Sequence, residues 1–312
     1  TDYLHAALKR VCRIHKSQPN GHILVFVTSQ REVKNLCELI IAKFEHFGKP
    51  KKRTKKNTPL REINIFNSYE TEELISTDSD TSNFIINPIV VLPLFALLPK
   101  EQQQNIFNSV EPNARKCIVS TNVAETSLTI PGVKYIVDTG KVKYKFYDKI
   151  TGAEKYEITW CSKASADQRK GRAGRTGPGH CYRLYSTSVY QHDFPEFTVP
   201  DILRQSIQNI VLQMKCMNFG KIENFPFPTP PDSIDIKAAE CTLLMLGALE
   251  TAQSSSGLCH RVTKLGRQMN SISLYPRYSK MIIDSIIQGC APYVITIASA
   301  MSVRVDRINF HR

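Results

Sequence analysis

Three arginines crowd into seven positions of the stretch QRKGRAGRTGPGHCYRLYS (168–186), interleaved with glycines and closed by Gly-Pro-Gly. Like charges three or four residues apart on a helix repel by a few tenths of a kcal/mol, so such crowding calls for an anionic target. With Ser165 to Arg175 taken as helical at about 100° per residue, Gln168, Arg172 and Arg175 fall within about 60° of one another. Lys170, Gly171 and Gly174 then lie on other faces, where the glycines permit close backbone contact. One carboxamide and two guanidiniums form a single donor stripe. Guanidinium forks match phosphate oxygens bidentately, and such a stripe suits the terminal phosphates of a nucleotide, where charge develops on hydrolysis. The alternative is a surface helix paired with acidic neighbours, but no acidic run stands nearby in the sequence.

A second constellation is KVKYKFYDKITGAEKYEITW (141–160). Lys141, Lys143 and Lys145 alternate with Val142, Tyr144 and Phe146, and on the return Tyr156, Ile158 and Trp160 alternate with Lys155, Glu157 and Thr159. Period two on both sides of Thr-Gly gives a β-hairpin with one apolar and one largely basic face, either a nucleic-acid contact or a purely structural ribbon. The chain's formal net charge of +13 over 312 residues favours a polyanionic partner, most simply nucleic acid. Part of that excess is the block KPKKRTKKN (49–57), readable as a nuclear localisation signal, an RNA-binding arm or a solvated loop.

These residues need a scaffold. HILVFVTSQ (22–30) reads as a buried parallel strand with a polar end, and Val33, Leu36, Cys37, Ile40 and Phe44 follow at helical spacing. Composition then breaks into the basic block and an acidic, Ser/Thr-rich tract at 69–83, so that about 49–88 reads as a disordered insertion. Strand-to-helix patterns resume at 89–107, with a helix begun at Pro99, and at 116–130; a further strand lies at 133–140. This rhythm predicts a doubly wound parallel α/β sheet with ligands at the carboxyl ends of the strands. The polar ends Thr28–Gln30, Ser120–Asn122 and Asp138–Gly140 are expected along one edge. Beyond 187 the pattern turns to amphipathic helices at 200–217 and 236–250, then a strand-like turn at 260–274. Two helices and a small β-wing carrying TKLGR resemble a winged-helix domain. Residues 276–302 are again helical.

Composition excludes several classes. No apolar run approaches the length of a membrane span, no signal-peptide pattern is present, and the nine cysteines stand singly, without a CxxC pair for zinc or dithiol chemistry. They read as reduced thiols of an intracellular protein. The chain opens TDYLHAALKR without an initiator Met and reads as part of a longer protein.

The stretch QRKGRAGRTGPGHCYRLYS is similar to motif VI of the DEAH-box ATP-dependent RNA helicases, STNVAETSLTIPG (120–132) to their motif V, and ILVFVTSQ to motif IV. LPLFALLPKEQQQNIF resembles the segment after motif IV, and NFPFPTPP (224–231) followed by LLMLGAL the start of the family's winged-helix region. The resemblance implies a second RecA-like domain over 1–187, a winged helix over 188–275, and the opening helices of a ratchet-like domain over 276–312. It implies that Gln168, Arg172 and Arg175 face the ATP phosphates, with Arg175 an arginine finger, and that Phe107 stacks on adenine. Thr121 and Asn122, with Thr28 and Ser29 of motif IV, would meet the RNA backbone. Ser127 and Thr129 would couple nucleotide state to that contact, and the hairpin, through Lys143 and Lys145, would lie by the RNA path. Two positions depart from the family pattern: Pro131 stands where an Asp able to touch the ribose often follows SLTI, and Ser29 replaces the Gly of Thr-Gly-Gln.

The implied activity is ATP-dependent remodelling of structured RNA. The GHCYRLYS and NFPFPTPP tracts are most similar to the nucleolar branch that acts on ribosomal precursor RNA, where an activating protein partner is possible. A non-catalytic winged-helix binder with a degenerate α/β domain is the rival. No GxxxxGK[ST] phosphate loop and no Asp-Glu-x-His occurs in the chain. In the family both belong to a first RecA-like domain, which would also supply the Mg²⁺ ligands. The purified chain alone is therefore expected to hydrolyse no ATP; measurable RNA-stimulated turnover by it would refute the half-site reading.

Overall fold

The computed structural model describes residues 2–45, 87–111, 113–126, 128–148, 154–175, 177–254 and 257–302. Residues 49–86 of the expected insertion and Ser127 lie outside them. The chain forms two compact units, Thr1–Tyr144 with Ile158–Thr198, and Lys145–Glu157 with Val199–Arg312. The division passes through the hairpin and falls at 198/199, so that 188–198 belong with the first unit.

The first unit runs α1 (Tyr3–Ser17), β1 (His22–Phe26), α2 (Gln30–Glu45), β2 (Ile89–Leu94), α3 (Lys100–Gln104), β3 (Arg115–Ser120), α4 (Val123–Thr126), β4 (Val133–Asp138), the base of the hairpin β5 (Lys141–Tyr147) and β6 (Glu154–Trp160), whose residues 145–157 belong to the second unit, then α5 (Lys163–Lys170), β7 (His180–Arg183) and α6 (Thr187–His192). Five strands form one parallel sheet in the order β2-β3-β1-β4-β7. The apolar runs of β1, β3 and β4 are continuous because both faces are covered. Ile23, Val25, Cys117, Val119 and Val137 pack under Ala7, Val11 and Ile14 of α1 and Val33, Leu36 and Ile40 of α2. Their alternates Leu24, Phe26, Ile118 and Ile136 meet Ile106, Ala124, Ile130 and Ala173 on the other face. The doubly wound α/β sheet is thus present, and the five apolar positions expected on α2 are all buried.

Two devices fix α1. Asp2 caps its start by accepting from the Leu4 and His5 amides. Arg115, buried at the head of β3, donates to the last carbonyls of the helix and beyond, Ile14 at 2.7 Å, Gln18 at 2.7 Å and Pro19 at 2.6 Å, where a cation also complements the helix dipole. Among the described residues β2 is an edge strand, and it carries Pro93 opposite Val119.

The second unit contains α7 (Asp201–Arg204), α8 (Gln208–Cys216), a 3₁₀ turn at Ile222–Asn224, α9 (Ser233–Met245), β8 (Leu249–Ser254), β9 (Gly257–Val262), α10 (Lys264–Ser271), α11 (Pro276–Ile287) and α12 (Ala291–Ser302). Its core gathers Val211, Leu212, Ile222, Ile236, Leu243, Leu249 and Met269. Three sequence expectations change here. The stretch 200–217 is two helices, because Gln205 is extended at φ −110°, ψ 164°. The 236–250 helix ends at Met245, where Gly247 at φ +73° closes it; the Gly247 amide bonds the Leu244 carbonyl and the Ala248 amide that of Leu243, the paired pattern that favours glycine at a helix end. TKLGR lies on no wing. Thr263 caps α10 by accepting from the Gly266 amide at 3.0 Å while donating to the Gly247 carbonyl, and the antiparallel pair is β8 with β9.

No helix among the described residues is long and apolar enough to cross a membrane, and all nine cysteines are free thiols.

Two histidines near the amino-terminal edge of the sheet make stability depend on pH. His15 is buried edge-on against Phe44, and burial, then Arg115, lowers its pKa. His22 is lowered by burial, Lys116 and Arg115, and its Nδ1 must stay unprotonated to accept from the Lys116 amide. Both favour the neutral form in the fold. Their contribution is complete above the unfolded value of about 6.5 and is lost as pH falls below it. Thermal unfolding between pH 7 and 5 is expected to show this loss, and His15→Leu to reduce the slope; an unchanged slope would place the pH dependence elsewhere.

Candidate functional site

The parallel register brings five strand ends to one level: Leu94, Ser120, Phe26, Asp138 and Arg183 are successive partners across the sheet. Immediately beyond them lie Thr28, Thr121 and Thr139, so the polar strand ends share one edge as expected. Two bonds stitch this edge: the Thr121 amide donates to the Leu94 carbonyl at 3.1 Å, and the Thr139 hydroxyl to the Phe26 carbonyl at 2.8 Å.

At the motif IV position, Glu32 organises the loop. Its Oε2 accepts from the Thr28 amide at 2.8 Å and the Thr28 hydroxyl at 2.7 Å, and the Tyr3 hydroxyl bonds its Oε1. Burial, then the bond to Glu32, pushes the Tyr3 hydroxyl up to about 12. Ser29 accepts from the Glu32 amide at 3.4 Å. Thr28 and Ser29 thus serve the start of α2, the first buried and the second half-buried. Thr121 is buried, whereas Asn122, at the head of α4, is exposed.

The arginines divide by role. Helix α5, capped by Ser162, ends at Lys170; residues 171–175 are turns, so the continuous helical stripe expected over 165–175 is not formed. Gly171 and Gly174 have the poorest helix propensity of any residue but proline. Gln168 is exposed on the last turn of the helix. Arg172 donates to the Leu128 carbonyl at 3.3 Å, and Arg175 bonds the Thr129 hydroxyl. Both guanidiniums therefore reach the loop after α4. The Nε of Arg172 is buried and has no hydrogen-bond partner among the described residues.

Arg169, to which the sequence reading gave no role, is 1% exposed. Its Nε bonds Glu125 at 3.0 Å, and its Nη1 bonds Asp138 at 2.9 Å and the Lys141 carbonyl at 3.3 Å. Asp138 also accepts from the Tyr185 hydroxyl at 2.9 Å and the Gly140 amide at 2.9 Å. Burial opposes the charge on Arg169, but Asp138, Cys161 and Glu125 outweigh it and hold the guanidinium firmly protonated.

Phe107 is half exposed in the turn after α3. The neighbouring Ile106 carbonyl accepts from the buried Lys116 ammonium at 2.8 Å, a positioning contact the sequence reading missed. Lys143 is exposed on β5, while Lys145 lies 5.3 Å over the Tyr275 ring with its Nζ 3.3 Å from the Tyr275 hydroxyl. Among the described residues, no group of three or more His, Cys, Asp or Glu side chains could hold a metal ion.

The close backbone approach foreseen for Gly171 and Gly174 occurs instead at Gly179. A Cβ there would stand 2.4 Å from the Ala173 carbonyl oxygen and 2.8 Å from that of Lys134, whereas one on Gly174 meets no described atom within 4 Å. Gly179→Ala is expected to lower the melting temperature by at least about 4 °C and Gly174→Ala to leave it nearly unchanged. Equal melting temperatures for the two variants would refute this packing.

Residues 80–177 match the family described as helicase conserved C-terminal domain, and 275–307 the helicase associated domain (HA2), ratchet-like. Among curated proteins, the chain is 45% identical over 311 residues to a protein of Schizosaccharomyces pombe named as an ATP-dependent RNA helicase, covering 97% of this chain and 26% of the relative. It is 39% identical over 351 residues to the ATP-dependent RNA helicase DHR1 of Saccharomyces cerevisiae, covering 99% and 27%, and 40% identical over 362 residues to the human DHX37, covering 97% and 31%. The chain thus spans between a quarter and a third of these relatives. Over nearly its whole length the chain is similar to a stretch of these ATP-dependent RNA helicases, and within it residues 80–177 match the helicase conserved C-terminal domain.

Proposed function

We propose that this chain supplies the second RecA-like half of a composite ATP site, and part of the RNA path, in a helicase that couples ATP hydrolysis to the remodelling of structured RNA. One observation carries the reading: the turn after α5 directs Arg172 and Arg175 together onto the Leu128 carbonyl and the Thr129 hydroxyl, with the Arg172 Nε buried and unpartnered among the described residues. A buried guanidinium N–H is expected to find an acceptor, and phosphate oxygens fit this donor set. Gln168, Arg172 and Arg175 are read as the catalytic groups, Arg175 as the arginine finger. Phe107 is read as the adenine contact, and Thr129, with Ser127 outside the described residues, as the link to the RNA-facing edge. Bound ATP supplies the transferable phosphoryl group; the chain's arginines orient it and stabilise the charge that develops there. The Mg²⁺ ligands are assigned to a first RecA-like domain outside this chain.

On the RNA side we place Thr28, Ser29, Thr121, Asn122, Lys143 and Lys145. In the second unit, α8, α9 and the β8–β9 pair are read as a winged helix. From the GHCYRLYS and NFPFPTPP tracts we further read a place in ribosome biogenesis, with ribosomal precursor RNA as substrate, a protein activator, and residence in the nucleolus.

Arg175→Ala, in the full-length protein, is expected to cut RNA-stimulated ATPase by about 10³-fold. ATP affinity should change far less, since a finger acts mainly in the transition state. Arg175→Lys should not rescue, because an ammonium lacks the planar fork. Turnover within a few-fold of wild type, at an unchanged melting temperature, would make the arginine turn structural and favour the non-catalytic binder.

A further inference from the structure

We infer that Arg169 is a positioning residue that couples the nucleotide-facing loop to the RNA-facing edge and to the base of the hairpin; the inference rests on the function proposed above. Helix α4 is a single turn with functional residues at both ends. Asn122 precedes it at the strand edge, and the loop after it presents the Leu128 carbonyl and Thr129, which engage Arg172 and Arg175. Arg169 grips the middle of that turn through Glu125, whose second oxygen bonds the Ser165 hydroxyl. The same guanidinium holds Asp138 at the end of β4 and the carbonyl of Lys141, the first residue of the hairpin. One buried, planar cation therefore joins three elements that the proposed mechanism must move in concert. A shift of the 128–129 loop carries α4 with it, and Arg169 passes that displacement to the strand end and the hairpin.

The arginine turn has anchors of its own. Ala173 is packed in the core beneath the sheet, Gly179 lies against its carbonyl, and α5 is capped by Ser162. Loosening the grip of Arg169 is thus expected to uncouple the site without displacing Arg172 and Arg175.

The test compares wild type, Arg169→Lys and the milder Glu125→Gln in the full-length protein. Three quantities are measured: ATPase with and without a tailed RNA duplex, RNA affinity with and without a non-hydrolysable ATP analogue, and melting temperature. Both variants are expected to keep RNA-free ATPase within about threefold of wild type while RNA stimulation falls at least about tenfold, the size of an ordinary coupling between sites. The dependence of RNA affinity on nucleotide should weaken in step. If Arg169→Lys does not fold, Glu125→Gln decides. Retained RNA stimulation in the folded variants, or a parallel fall of RNA-free and RNA-stimulated rates tracking lost stability, would overturn the coupling role. A wild type without RNA-stimulated ATPase would instead overturn the proposed function itself, a separate and distinguishable outcome.

Discussion

A carboxylate sealed away from water at the end of a strand must have every lone pair used, and much of the first unit follows from how Asp138 meets that demand. Removing such a charge from water costs several kcal/mol, offset only by close, complete partnering. Asp138 obtains it from Arg169, Tyr185 and the Gly140 amide. Each partner belongs to a different element: the helix before the arginine turn, the segment after β7, and the reversal into the hairpin. Two pieces of chain, 31 and 47 residues away, and the adjoining reversal are thereby fixed against one strand end. Tyr185 continues the constraint into an aromatic cluster, 4.8 Å from Phe194 between centroids, with Trp160 5.2 Å from the same ring. The Lys141 ammonium lies 3.1 Å over Trp160.

Within the arginine-rich stretch, burial separates structure from chemistry. Arg169 spends its guanidinium on two carboxylates and a carbonyl, while among the described residues Arg172 and Arg175 meet a carbonyl and a hydroxyl, acceptors that an anion can outcompete. The crowding of like charge is thus tolerated because one of the three is neutralised inside the fold and the other two are held apart from it by the end of the helix. Comparable economy operates in the second unit, where Glu240 receives the Lys215 ammonium at 2.8 Å and ties α9 to α8.

What the sequence disclosed depended on range. The sheet was legible because strands covered on both faces must be apolar throughout, and α2 because burial on one side imprints a helical period. The ends of elements were less so. The stripe over 165–175 assumed that helix geometry persists through Gly171 and Gly174, and TKLGR was placed on a wing because its threonine carried no visible mark of a cap. Arg169 escaped notice because its partners stand 44 and 31 residues away, and Lys145, on the basic face of the hairpin, meets Tyr275 130 residues on. A signal for the first existed: an apolar strand ending in Asp138 demands a buried counter-ion, and the nearest helix rich in arginine was a candidate.

The edge strand β2 has a consequence for association. The carbonyls of Pro88 and Leu94 point toward β3, accepting from Arg115 and Thr121, so odd-numbered residues of β2 direct their backbone groups outward, away from the sheet. Pro93 is one of these, and its missing N–H therefore falls on the open side rather than in the ladder. A further strand seeking to extend the sheet there would find an acceptor left without its donor near the end of the seam. Proline at that position removes no hydrogen bond from the β2–β3 ladder and makes the edge a poorer template for another strand.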